Sequence, residues 1–191
     1  NSGSNNVTAF AINTTTGALT AIGGGPVAAG TGPSSVTVDP SGSYVYVANS
    51  GSNDVTAYAI NTTTGALTPI AGGPAAAGTG PSSITVDPSG RYVYVTNSGS
   101  NDVTAYAINT TTGALTPVAG NPFTAGTGPF SAAVDPSGTY VYVANSGSSN
   151  ITVYAMNTMT GGLIPVSITG SPFPSPSGFA FPVAIAIAPV P

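Results

Sequence analysis

Charge is almost missing from this sequence. Only 3% of its 191 residues are charged, against roughly a quarter in average soluble proteins, and these are one arginine, Arg91, and five aspartates, Asp39, Asp54, Asp87, Asp102 and Asp135. A net charge of −4 with one cationic side chain leaves nothing to neutralise phosphates, which excludes nucleic acid and an anionic membrane as partners. Histidine, lysine and glutamate are absent. Serine therefore has neither of its usual bases, and glutamate-pair glycosidase chemistry and histidine metal sites fall away too. Without cysteine there is no disulfide framework and no thiolate metal site, and the redox compartment is not legible. Long apolar runs are also lacking: the stretch from Phe179 to Pro191 is too short and too proline-rich to cross a bilayer. No initiator methionine or leader precedes Asn1, so the chain reads as a processed mature form or a piece of something longer, soluble or extracellular.

What is present is a repeat. The loop NSGS begins at Asn1, Asn49, Asn97 and Asn145, a spacing of 48 residues, in the range of propeller blades. Each unit carries four strand-like runs, typified by Ser83 to Asp87, Tyr92 to Thr96, Val103 to Ile108 and Ala114 to Val118. Asp87-Pro88-Ser89-Gly90 joins the first two with the residues of a type I turn. Asn109-Thr110-Thr111-Thr112-Gly113 joins the last two. Such short connections predict antiparallel neighbours. Proline at 69, 117 or 165 in the fourth run places that strand at a sheet edge. Neither YVYV nor VTAYAI has a clean polar face, as expected when both faces of a small sheet are covered by neighbouring sheets. A β-solenoid fits less well, because its coils are shorter and stack in parallel.

YVYVTNSGSNDVTAYAIN, with GALTP and GPSSITVDPSG around it, resembles the YVTN-type β-propeller repeats of surface-layer proteins and is similar to the repeats of lactonase-like seven-bladed propellers. The resemblance implies an all-β propeller of four-stranded antiparallel blades. Seven blades of this period exceed the chain, so about four are expected in one repeat domain over 1–191. Three are complete, near 33 to 70, 81 to 118 and 129 to 166. The fourth is a composite: Val7 to Ile12 and Ala18 to Ile22 from one end, and Pro182 to Pro189, reached by a Pro/Ser/Gly connection over 170–181, from the other. Its YVYV strand is not encoded, which makes Val7, Phe10, Ile12, Val183, Ile185 and Ile187 candidate assembly residues.

The site candidates are few. Asp39, Asp87 and Asp135 each precede Pro-Ser-Gly, and a turn role accounts for them. Asp54 and Asp102 lie in Asn/Ser/Gly loops, but one carboxylate per loop is far short of a Ca²⁺ site, and a solvated loop or capping of a strand end accounts for them better. Arg91 is expected to pair with an aspartate at little energetic consequence. Asn6, Asn13, Asn61, Asn109 and Asn150 fit the N-x-[ST] pattern and are candidate glycan acceptors. No catalytic residue, cofactor site or metal site emerges, so the activity of lactonase-like propellers is not carried over. The expectation is a non-enzymatic extracellular structural protein of the cell surface, a homo-oligomer or polymer that self-assembles into a surface layer, sheath or filament. Its alternative is a propeller module that binds glycans or proteins through its loops.

Overall fold

The computed structural model describes residues 1–166, 173–174 and 182–188. All regular secondary structure among them is β, and the strands form antiparallel sheets. In the central blade Pro81–Val86, Tyr92–Asn97, Asp102–Ile108 and Leu115–Pro117 follow one another as neighbours. The same order recurs over Pro33–Val38, Tyr44–Asn49, Asp54–Ile60 and Leu67–Pro69, and again over Pro129–Val134, Tyr140–Asn145, Asn150–Met156 and Leu163–Pro165.

The turn chemistry sets this order. Asp87 Oδ1 accepts from the backbone N–H of Arg91 at 2.8 Å and of Tyr92 at 2.7 Å, while Oδ2 accepts from Ser89 N–H at 3.0 Å and from the Ser89 hydroxyl. Gly90, at φ 70°, supplies the left-handed residue that closes the hairpin. Asp39 and Asp135 hold their turns through the equivalent bonds.

The outer edge differs from the sequence expectation. The fourth strand covers only half of the third. Tyr106, Ala107 and Ile108 pair with Leu115–Pro117, whereas Asp102 and Val103 pair with a further strand, Phe123–Thr124. Ala75–Ala76 and Phe173–Pro174 take that place in the other two blades. In the central blade the gap between the two pieces is closed by a side chain: Ala105 N–H donates to Asn121 Oδ1 at 2.8 Å, and Asn121 Nδ2 donates to Ala105 O at 2.6 Å. An amide side chain thus stands in for a peptide group.

At the N-terminal side lie two short pairs, Asn6–Val7 with Val27–Ala28 and Phe10–Ile12 with Leu19–Ala21. At the other side 182–188 forms no ladder, yet Ile185 N–H reaches the Ser131 hydroxyl at 3.3 Å, as Ile84 N–H reaches Ser35 at 3.3 Å. This segment therefore lies where the next inner strand belongs. Of the connection expected over 170–181, all but Phe173–Pro174 lies outside the described residues, as does Pro189. Among the described residues the structure thus holds three complete blades with part of a further blade at each side.

The core lies between blades. Along Tyr92–Asn97 alternate side chains serve opposite neighbours: Tyr92 and Tyr94 pack with Val141, Val143 and Tyr154 of the following blade, and Val93 and Val95 pack with Tyr46 and Ala48 of the preceding one. Period-two alternation thus yields two apolar faces rather than one. Each junction is then closed by two tyrosine hydroxyls reaching in opposite directions. Tyr46 donates forward to Gly113 O at 3.0 Å, and Tyr106 donates back to Ala76 O. Tyr94 to Gly161 O, at 3.0 Å, and Tyr154 to Thr124 O repeat the arrangement.

Positions that the middle blade hides are open at the sides. Ile84 is 5% exposed and its counterpart Val36 58%; Tyr92 is 5% exposed and Tyr140 39%. Of the candidate assembly residues, Phe10, Ile12 and Val183 are exposed, and Val7, Ile185 and Ile187 are half-buried.

The tyrosine bonds generate a stability prediction. Tyr94→Phe leaves the buried Gly161 carbonyl without its donor and is expected to cost about 1–3 kcal/mol in urea unfolding. Tyr142→Phe, with no following blade turn against it among the described residues, is expected to cost less than half of that. Equal losses would show that the inter-blade bond is not what holds Tyr94.

Candidate functional site

The two ends of the blades are built differently. One end carries the Asp-Pro-Ser-Gly and Asn-Thr-Thr-Thr-Gly turns. The other carries the loops between second and third strands and the connections that lead from one blade to the next.

At the turn end the aspartate carboxylate oxygens are occupied. Asp39 and Asp87 are buried and spend both carboxylate oxygens on backbone N–H groups and a serine hydroxyl. Burial alone would raise the pKa of Asp39, but the Ser41 hydroxyl and the N–H groups of Tyr44, Ser41 and Ser43 outweigh it, and the group sits below the ordinary aspartate value. The same causes act on Asp135, with Ser137, Tyr140 and Thr139 as the donors. A cavity of about 100 Å³ borders Asp39, Tyr44 and Thr110. Arg91 is also committed here. Its Nε donates to Ser89 Oγ at 3.2 Å and its Nη2 to Thr158 O at 2.6 Å, and its guanidinium lies 5.5 Å from the Tyr92 ring centroid. It staples the following blade through a carbonyl rather than pairing with an aspartate. Asn13, Asn61 and Asn109 are exposed at this end, and each accepts two threonine N–H bonds on Oδ1.

The loop end holds a cluster that sequence reading did not assemble. Asn97 is fully buried, and its Nδ2 donates to Asp102 Oδ1 at 2.7 Å and to Thr104 Oγ1 at 2.8 Å. Asn49, Asp54 and Thr56 repeat the arrangement at 2.7 and 2.9 Å. In the third blade Asn145 makes the same bonds at 2.8 Å to Asn150 Oδ1 and to Thr152. Each central asparagine keeps a buried Oδ1 without a hydrogen-bond partner. Gly78 must be glycine beside this cluster, since a Cβ there would stand 2.7 Å from both Asn97 Nδ2 and Asp102 Oδ1.

Asn150 makes the role of the two aspartates plain. The fold needs an acceptor at this position, and an amide oxygen serves as well as a carboxylate. The charge on Asp54 and Asp102 is thus not spent on the fold, and both are half-buried, whereas the turn aspartates are saturated. The signal was in the sequence, as an Asp, Asp, Asn series at one register, but the partner Asn five residues earlier is visible only once the hairpin is folded. Asn150 is engaged here, and Asn6 accepts from Asn1 Nδ2 at 2.6 Å. Around the loops Asn5, Asn53 and Asn101, all at positive φ, extend Oδ1 to the N–H of Gly32, Gly80 and Gly128 at 2.9, 2.8 and 2.8 Å, locking each loop to the next connection.

Comparison with known proteins decides the family. The model described as "Lactonase, 7-bladed beta-propeller" matches residues 1–78 and 70–181. The chain belongs to this lactonase family. Among solved structures it is similar to a Bacteroides uniformis protein assigned as a 6-phosphogluconolactonase, at 25% identity and TM-score 0.76, over 85% of this chain and 48% of that one. A Bacteroides fragilis protein with the same assignment gives 26% identity and TM-score 0.73, over 85% and 48%. The periplasmic gluconolactonase of Pseudomonas aeruginosa shares the fold, at 22% identity and TM-score 0.76, over 87% and 48%. The lactonase-family chain thus spans about half the length of these structures. No curated protein matches it.

These matches overturn two expectations: the non-enzymatic structural protein of a surface layer, sheath or filament, and the exclusion of an enzyme. The physical reason is that the lack of histidine, lysine, glutamate and cysteine does not remove every general base, since an aspartate carboxylate can activate water in opening an ester. A solvated loop or a strand-end cap leaves Asp54 and Asp102 no chemical role. The amide at 150 shows that their charge is not spent on the fold.

The turn aspartates predict acid behaviour. A pKa depressed in the folded state contributes stability above the unfolded carboxylate value and loses it as pH falls through the folded value. The urea midpoint is therefore expected to hold steady from neutral to mildly acidic pH and to fall below about pH 4. Replacing both Asp39 and Asp135 by Asn should lower stability at neutral pH and flatten that fall; an unchanged acid slope would contradict the assignment.

Proposed function

We propose that this chain provides three blades and part of a fourth of a lactonase-type propeller that opens the cyclic ester of a sugar acid, with the loop end as its reactive face. The observation that carries the reading is the pair of half-buried carboxylates, Asp54 and Asp102, each oriented by a buried asparagine amide at 2.7 Å and neither required by the fold as a charge. The family match over most of the chain supports the reaction class.

The chemistry asked of them is modest. A carboxylate takes a proton from water as its oxygen attacks the lactone carbonyl, and the carbonyl electrons move onto oxygen. Collapse of the tetrahedral species breaks the ring C–O bond, and the proton is returned to the departing alkoxide, leaving a hydroxy acid. The asparagine bond keeps each base in one rotamer, the usual role of a positioning group. A location outside the cytoplasm is in keeping with the periplasmic description of the Pseudomonas aeruginosa neighbour.

The reading is tested by following proton release from glucono-δ-lactone with the 191-residue chain and its Asp54→Asn/Asp102→Asn variant. Because Asn150 already holds the equivalent position, the variant should keep its unfolding midpoint and lose about a hundredfold in rate over background. A variant that turns over lactone as fast as the parent would refute the role of these carboxylates.

A further inference from the structure

The placement of charge on the blades bears on which lactone such a face accepts. Three aspartates, 39, 87 and 135, sit at the turn end of the inner strands. The other two, 54 and 102, sit at the loop end on the third strands, two strands out from the inner strand, a distance of about 10 Å. Both ends of the blade array are therefore negative.

The one cationic side chain does not offset this. Arg91 is at the turn end, and its guanidinium is held against Tyr92, Ser89 and the Thr158 carbonyl of the following blade. No helix is present among the described residues to offer an N-terminus to an anion. The loop connections do carry backbone N–H groups, but those of Gly32, Gly80 and Gly128 are already taken by Asn5, Asn53 and Asn101. The N–H groups of Thr31, Thr79 and Thr127 are taken by Ser52, Ser100 and Ser148, each at 3.0 Å. A phosphate thus meets filled donors and two carboxylates.

Resting on the lactonase reading, the geometry points to an uncharged sugar lactone as the substrate of this face, with a phosphorylated ester discriminated against. A phosphate dianion carried by a lactone at this face is repelled by these carboxylates enough to lower its relative kcat/KM about tenfold in dilute buffer. The repulsion acts through solvent, so salt screens it.

The experiment compares kcat/KM of the 191-residue chain for glucono-δ-lactone and for its 6-phosphate, at low ionic strength and in 0.5 M salt (about a 4 Å screening length). The expected result is a preference of about tenfold for the neutral lactone that narrows in salt. Thr79→Lys, which places a cation on the exposed connection beside the Asp102 loop, should narrow it as well. Equal or greater kcat/KM for the phosphorylated ester would overturn the charge inference while leaving lactone hydrolysis in place. A preference unmoved by both salt and Thr79→Lys would overturn its electrostatic basis. Turnover of neither ester would overturn the lactonase reading, and this inference with it.

Discussion

The structure depends on contacts between blades that are built mainly from uncharged groups, Arg91 on Thr158 O being the charged exception. Each junction is a pair of apolar sheet faces crossed by two tyrosine hydroxyls, one reaching forward to a turn carbonyl and one reaching back to an edge-strand carbonyl. Burial raises the phenol pKa of Tyr46, Tyr94, Tyr106 and Tyr154, so these groups remain donors throughout the ordinary pH range. The receiving turn is shaped for the contact. Gly113 and Gly161 sit at φ 72° and 75°, and a Cβ at either would lie 2.3 Å from the ring of Tyr44 or Tyr92. A charged side chain on such a face would be buried without a partner, which costs several kcal/mol. The buried residues packed between blades are accordingly aliphatic, methionine or tyrosine.

The fold was largely legible because its signals are local. Asp-Pro-Ser-Gly turns, alternation of tyrosine and valine, and a strict 48-residue spacing each act within a few residues or between identical units, and together they led to antiparallel blades. The divided outer edge was not legible. Ala75–Ala76 and Phe123–Thr124 are two-residue pieces with no strand signature of their own, and they pair only because the third strand leaves two residues uncovered. Arg91 was misread for a similar reason: its partner, the Thr158 carbonyl, is 67 residues away and is brought near only by blade stacking.

The candidate site was legible in its residues and not in its meaning. For Asp54 and Asp102 the sequence points to a solvated loop or a strand-end cap, whereas in the structure each accepts from a buried asparagine amide. The hairpin then shows that Asn49 and Asn97 sit opposite them in register, and that the third blade runs the same bond with an amide. Comparing three copies of one geometry separates what the backbone needs from what it tolerates, which no single copy does. The scaffold accounts for stability, whereas function resides in groups placed on it. In this chain the turn end belongs to the scaffold, and the chemistry we propose lies at the loop end.

If stacking is the source of stability, the blades cannot be equally stable. The central one is covered on both faces, while Val36 on one side and Tyr140 on the other are open. Native-state hydrogen exchange, resolved by residue, tests this most directly. Amides of Tyr92–Asn97 and Asp102–Ile108 should exchange most slowly, with those of Tyr44–Asn49 and Tyr140–Asn145 opening earlier through sub-global events. Equal protection in all three blades, or slowest exchange in the first or third, would contradict the account.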